Sequence, residues 1–281
     1  MQSRIIGYYE AWAHDRKCSG MDFSDIPVED LTHLNFAFAY ISPGSLQVVP
    51  MDGLTTDLFG QLTSLKDRNR GLKAMISIGG WTFNDNHTST QPVFRDMVSS
   101  PSNRQKFIKN LLVFLRNYGF DGVDFDWEYP GASDRGGQPD DGINYTLFLG
   151  ELKAAIAEQP EVYLVSFTAP TSYWYLRHFD IKNTVNNVDF VNVMSYDLHG
   201  VWDSTDPIGS HTLAHTNLTE IKLALDLFWR NDVPAAKLNL GLGFYGRSFQ
   251  LADPSCYQPG CLFKGGAAAG SVRTFQSCFS I

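Results

Sequence analysis

No stretch of the 281 residues approaches the roughly 18 consecutive apolar positions of a membrane-spanning helix, so no span is expected. The opening MQSRIIGYYEAW enters a strand-like pattern at once and lacks the charged start, long apolar run and small-residue cleavage site of a signal peptide. Basic charge is scarce: 22 Lys and Arg stand against 30 Asp and Glu, for a net charge of −8 and a pI near 5.3. Such a balance argues against nucleic acid or an anionic membrane surface as partner. Four cysteines are too few for a disulfide scaffold. Cys256 and Cys261 enclose the turn-forming YQPG and suit a local bridge, whereas Cys18 and Cys278 have no evident partners. The glycines form no dinucleotide or phosphate-loop motif, and the seven histidines show no ligand spacing, so no metal and no cofactor is expected. Low-complexity linkers are missing too, so the chain reads as a single domain over residues 1–281.

What is present is hydrophobic and aromatic, 43% and 14% of the residues. That content can bury a core of the larger α/β type. Short β-rich runs recur at 4–11, 31–41, 72–80, 122–129, 162–170, 190–197 and 238–246. Helix-like segments separate them, including SNRQKFIKNLLVFLRNYG, with Ser102 as its N-cap and Gly119 as its stop, and the stretches 143–159 and 218–231. Strands alternating with helices imply a parallel sheet, and seven repeats favour a (β/α)8 TIM barrel over a doubly wound sheet. The count stops at seven, with strands within 4–248. The tail, 249–281, carries no strong strand pattern, so strand eight is expected to be missing and the chain to be a truncated version of a longer protein. Three sequons, at Asn86, Asn144 and Asn217, fit an exported protein.

The run DGVDFDWEYP carries the chemistry. On a strand, Asp124, Asp126 and Glu128 share one face while Val123, Phe125 and Trp127 share the other, with successive acids roughly 6.6 Å apart. On an exposed edge this pattern is merely a solvated acidic face. Turned inward, it forces at least one carboxyl to keep its proton near neutrality, which is what a general acid requires. Barrel enzymes place catalytic groups at the C-terminal ends of strands. Polar or aromatic residues fall at several such ends here: Tyr8 and Tyr9, Phe38, Trp81, the acidic row, Tyr196 with Asp197, and Tyr245 with Arg247.

SIGGW (77–81), the D-x-x-D-x-D-x-E row (121–128), MSYD (194–197) and GLGFYGRSF (241–249) together resemble the motifs of family 18 glycoside hydrolases, the chitinases. The likeness is greatest to the fungal kind that often carries chitin-binding or LysM modules, and it covers roughly residues 4–262. The resemblance implies a retaining, substrate-assisted hydrolysis of β-1,4-linked N-acetylglucosamine, by an extracellular monomer acting on chitin or its oligomers. It assigns Glu128 as general acid and base, Asp126 as the group that orients the acetamido arm, Asp124 as its proton-sharing neighbour and Tyr196 as a donor to the acetamido carbonyl. Tyr9, Phe38, Trp81, Met194, Asp197, Trp202, Tyr245 and Arg247 are expected to bind sugar. Asp121 is expected to face away from the row and brace its turn. The resemblance also leaves open a chitin-binding lectin, a glycosidase acting on N-glycan cores, and an inactive fragment. Family lectins typically lose the residue at the position of Glu128, which is intact here.

Overall fold

A computed structural model describes residues 4–16 and 20–268. The expectations for Cys18 and Cys278 lie outside these residues. Seven strands form one parallel sheet: β1 (Ile6–Glu10), β2 (His33–Ile41), β4 (Lys73–Gly79), β5 (Gly122–Asp126), β6 (Leu164–Pro170), β7 (Phe190–Met194) and β8 (Leu238–Leu240). They pair in that order, each parallel to the next. A short β3 (Val48–Pro50) doubles back antiparallel on β2.

The sheet is strongly curled. Tyr8 of β1 donates from its hydroxyl to Asp124 of β5, 2.8 Å away, and accepts from Asn192 of β7 at 2.8 Å. Strands at opposite ends of the pairing order therefore meet across one interior. This is a TIM-barrel sheet without a closing eighth strand among the described residues. Side chains span the remaining gap: Arg4 donates to Asn239 of β8 at 2.8 Å, and Asn239 donates to Asn192 at 2.9 Å.

Helices α1 (Asp57–Ser64), α2 (Val93–Ser99), α3 (Pro101–Tyr118), α4 (Asp141–Ala157) and α7 (Leu218–Trp229) cover the outside, with the short α5 (Tyr173–Leu176) and α6 (Ile181–Thr184). Between sheet and helices lies a phenylalanine-rich layer. Phe125 of β5 packs edge-on against Phe148 of α4 at 5.2 Å and meets Phe107 of α3 at 6.3 Å, all fully buried. Each such ring contributes about 1.5–3 kcal/mol of transfer free energy. Helix α3 begins two residues earlier than the sequence suggests. Ser100, not Ser102, accepts from the Asn103 amide as N-cap, because Pro101 suits the first helical position and no interior one. Gly119 ends the helix in the left-handed conformation, as expected (φ 72°).

Two strands end sooner than the apolar pattern implies. β5 stops at Asp126, since its ladder with β6 runs out at Phe125, and Glu128 stands in the turn beyond. β8 stops at Leu240, because β7 ends at Met194 and no described strand lies on its other side. The tail, conversely, carries more structure than expected. β9 (Phe249–Leu251) and β10 (Phe263–Gly266) pair antiparallel, and the Cys256–Cys261 disulfide closes the turn between them. Strands of three and four residues are too short for alternation to register.

Candidate active site

Alternation on β5 sorts its residues as chemistry requires. Phe125 faces the helices, and the next apolar position, Trp127, stacks on Phe94 of α2 at 5.3 Å. Asp124 and Asp126 face inward, and Glu128 follows them on the same side. The acids are 0%, 5% and 8% exposed, which excludes the solvated-edge reading. Gly79 lets β4 close over this row: a Cβ there would lie 2.2 Å from the Asp126 carbonyl oxygen, and its φ is +116°.

The three carboxyls meet different surroundings. Asp124 accepts four hydrogen bonds: from Tyr8 and Ser77 at 2.8 and 2.9 Å on one oxygen, and from Ser166 and Asn192 at 2.6 and 3.0 Å on the other. Burial raises its pKa, and those four donors work against the rise. Among the described residues, Asp126 has a single donor, the Thr168 hydroxyl. Its pKa is driven well above the usual range by burial, then by the charge of Glu128, with Asp124 adding to both. Glu128 is raised to about 7, again chiefly by burial, against the lowering influence of Tyr129 and Arg135. A carboxyl half-protonated near neutrality, beside a second that resists ionisation, can give and then take back a proton.

The turn carrying Glu128 is braced by Arg135, itself 7% exposed. Its Nε donates to the Glu128 carbonyl at 3.1 Å, its Nη2 donates to the Trp81 carbonyl, and its Nη1 pairs with Asp85 at 3.1 Å. The guanidinium also lies 3.8 Å from the centre of the Trp81 ring. Asn84 accepts from the Glu128 amide at 3.4 Å. Asp121 points elsewhere, accepting from the Ala74 amide at 2.9 Å and pairing with Lys66 at 3.1 Å.

Most of the other expected residues gather at this end of the barrel. Tyr196, largely covered, feels the charge of Asp126 after the effect of burial, and both raise its pKa. Gly241 makes room for it, since a Cβ there would sit 2.7 Å from its ring. Arg247 donates twice to Asp197, at 2.7 and 2.8 Å, and its guanidinium lies 5.1 and 5.2 Å from the rings of Trp202 and Tyr245. Trp81, Trp202 and Tyr245 are 50%, 41% and 42% exposed. Met194 and Phe38 are half-buried, with Phe38 stacked on Trp12 at 6.2 Å. Tyr9 is a correction. It packs on Phe23 at 4.7 Å and donates to the Met21 carbonyl, so it does not line the cleft. Two aromatics in succession on β1 must face opposite sides, and Tyr8 is the one turned inward. Ser77, Ser166, Thr168, Asn192 and Arg135 were not singled out from sequence. For the first four, alternation with apolar neighbours on β4, β6 and β7 was the available signal, whereas Arg135 lies in the turn after β5 and gave none.

Among the described residues, no group of three or more His, Cys, Asp or Glu is arranged to hold a metal ion, and no helix is long and apolar enough to cross a membrane.

Comparison with known proteins shows the family of the chain and the kin of its fold. Residues 4–279 match the family model described as glycosyl hydrolases family 18. The chain is 38% identical to the probable chitinase LysM18 of Penicillium expansum over 94% of its length, and 36% identical to the secreted chitinase LysM12 of the same organism over 93%. It spans 18% of the length of each of these relatives. Among solved structures, it resembles a mutant of catalytic domain 2 of the Ostrinia furnacalis Group II chitinase, in complex with penta-N-acetylchitooctaose. That match has a TM-score of 0.82 at 25% identity, covering 95% of this chain and 70% of the other.

Proposed function

The chain belongs to family 18 of the glycosyl hydrolases, and on that premise we propose that it hydrolyses β-1,4 linkages between N-acetylglucosamine units of chitin, with retention and with the substrate's own acetamido oxygen as nucleophile. The observation that carries this reading is the buried, inward-facing row, with the Glu128 carboxyl raised to about 7. Protonated Glu128 gives its proton to the departing glycosidic oxygen as the acetamido oxygen attacks the anomeric carbon. An oxazolinium ion and a free chain end result. The same carboxylate then takes a proton from water, whose oxygen opens the ring on the face the first sugar left.

Asp126 accepts from the acetamido N–H and offsets the positive oxazolinium. Asp124, whose oxygens accept from four donors, is the proton-sharing neighbour of Asp126, so the protons of the row belong to the coupled carboxyls together. Tyr196 donates to the acetamido carbonyl. Asp197, held by Arg247, and Met194 shape the pocket around that sugar, with Phe38, Trp81, Trp202 and Tyr245 along the groove. Residues 4–248 form the catalytic unit, with 249–281 appended. The protein acts outside the cell as a monomer, binding no nucleic acid, membrane, metal or cofactor.

Glu128→Gln tests this directly. Turnover of N-acetylglucosamine hexamer should fall at least about a thousandfold, in the range of losing both proton transfers, while the hexamer still binds in calorimetry. Hydrolysis surviving in Glu128→Gln would overturn the assignment.

A further inference from the structure

Three loops leaving the C-terminal ends of β4, β6 and β7 each expose one tryptophan: Trp81, Trp174 and Trp202, at 50%, 52% and 41%. Each carries a guanidinium over its ring: Arg135 at 3.8 Å, Arg177 at 4.0 Å and Arg247 at 5.1 Å. A cation held against one face anchors an exposed indole while leaving its other face free. Trp229, at 41% exposure, shows that this is not a property of surface tryptophans in general. It ends α7 at the opposite end of the barrel, and among the described residues no guanidinium lies over it.

Trp81 and Trp202 are already read as sugar platforms; Trp174 has no such assignment. We propose that Trp174, set by Arg177, is a further carbohydrate-binding platform for the N-acetylglucosamine polymer, extending the groove along the rim. Its helix α5 is fastened to the turn that carries Glu128. The ring of Tyr175 stacks on Tyr129 at 4.3 Å, and the Tyr175 hydroxyl donates to Asp134 at 2.9 Å. Asp134 adjoins Arg135, which holds Trp81. One turn, residues 129–135, thus sets two indoles relative to the catalytic acid. The ligand is an uncharged sugar chain rather than an anionic polymer, because the protein carries a net charge of −8 and indole faces bind the apolar C–H faces of pyranose rings.

The inference rests on the chitin reading of the cleft, and the test separates the two. In a Glu128→Gln background, calorimetry measures binding of N-acetylglucosamine trimer and hexamer. Trp174→Ala should weaken the hexamer about three- to tenfold, the scale of one lost aromatic stack, and weaken the trimer less. Trp174→Phe should retain most of the hexamer affinity, and Trp229→Ala should match the parent. Near-ultraviolet circular dichroism confirms folding of each variant. If the parent binds hexamer and Trp174→Ala binds it equally well at both lengths, the platform is disproved and the chitin reading stands. If the parent binds no oligomer, the chitin reading fails and this inference with it.

Discussion

Asp124, Asp126 and Glu128 are chemically alike and differ in function through donor count and solvent. Four donors hold Asp124 as an acceptor, one leaves Asp126 dependent on its neighbours, and Glu128 is balanced between burial and the nearby Arg135. A sign follows for the pH dependence. The Glu128 pKa is raised, and its protonated form is the one that acts first, so kcat should hold below about pH 7 and fall tenfold per unit above it. Arg135 lowers that pKa by its charge, so Arg135→Gln should move the alkaline limb to higher pH. Arg135→Lys keeps the charge and loses the fork of hydrogen bonds, so it should lower kcat while leaving the limb in place. pH–rate profiles of the two variants check both statements. A limb that does not move in Arg135→Gln would remove Arg135 from the electrostatics of the acid.

At the scale of elements, the loop bearing Trp202 is tied to α7 through a buried histidine. His199 Nδ1 lies 2.9 Å from Asp203, and its Nε2 lies 3.0 Å from both oxygens of Glu220 in the first turn of α7. Burial works against protonation of His199, but Glu220 and Asp203 outweigh it and hold the pKa above the ordinary histidine value. A raised folded-state pKa means that the stabilisation is fully present below the unfolded value, about 6.5, and is lost as pH rises through the folded one. His199→Gln should therefore cost about 2 kcal/mol near pH 5.5, the scale of hydrogen bonds between charged partners, and less at pH 9. Urea unfolding at the two pH values measures the difference, and an equal loss at both would refute the ionic tether.

At the scale of the whole molecule, the dominant physical fact is the flank of the sheet past β8, which no strand among the described residues covers. Past the last ladder pair of β8, Leu242 and Phe244 are 70% and 97% exposed, beside a strand edge that is unpaired among the described residues. Exposed apolar residues next to such an edge promote association. In the 281-residue chain, Phe244→Lys should raise the concentration at which the protein stays monodisperse in light scattering, with the melting temperature changed by no more than about 2 °C, as for an exposed surface substitution. Unchanged scattering would show that another surface limits solubility.

Period-two alternation was enough to read seven parallel strands and three acids on one face, because these depend on local spacing alone, while the rim residues Trp81, Tyr196, Asp197, Trp202, Tyr245 and Arg247 came from the family resemblance. Which of two adjacent tyrosines on β1 faces the acids was not legible, since alternation fixes that they differ and not which one turns in. Arg135, Asn192 and Ser166 were equally hidden. They reach Glu128 and Asp124 from seven to 68 residues away, Arg135 within the following turn, Ser166 from the neighbouring strand and Asn192 from a strand further round the sheet. The linear order of residues determined that three carboxylates would lie in a row. Curvature of the sheet decided that the row would be dry, differently solvated at each rung, and therefore able to hold a proton at neutral pH.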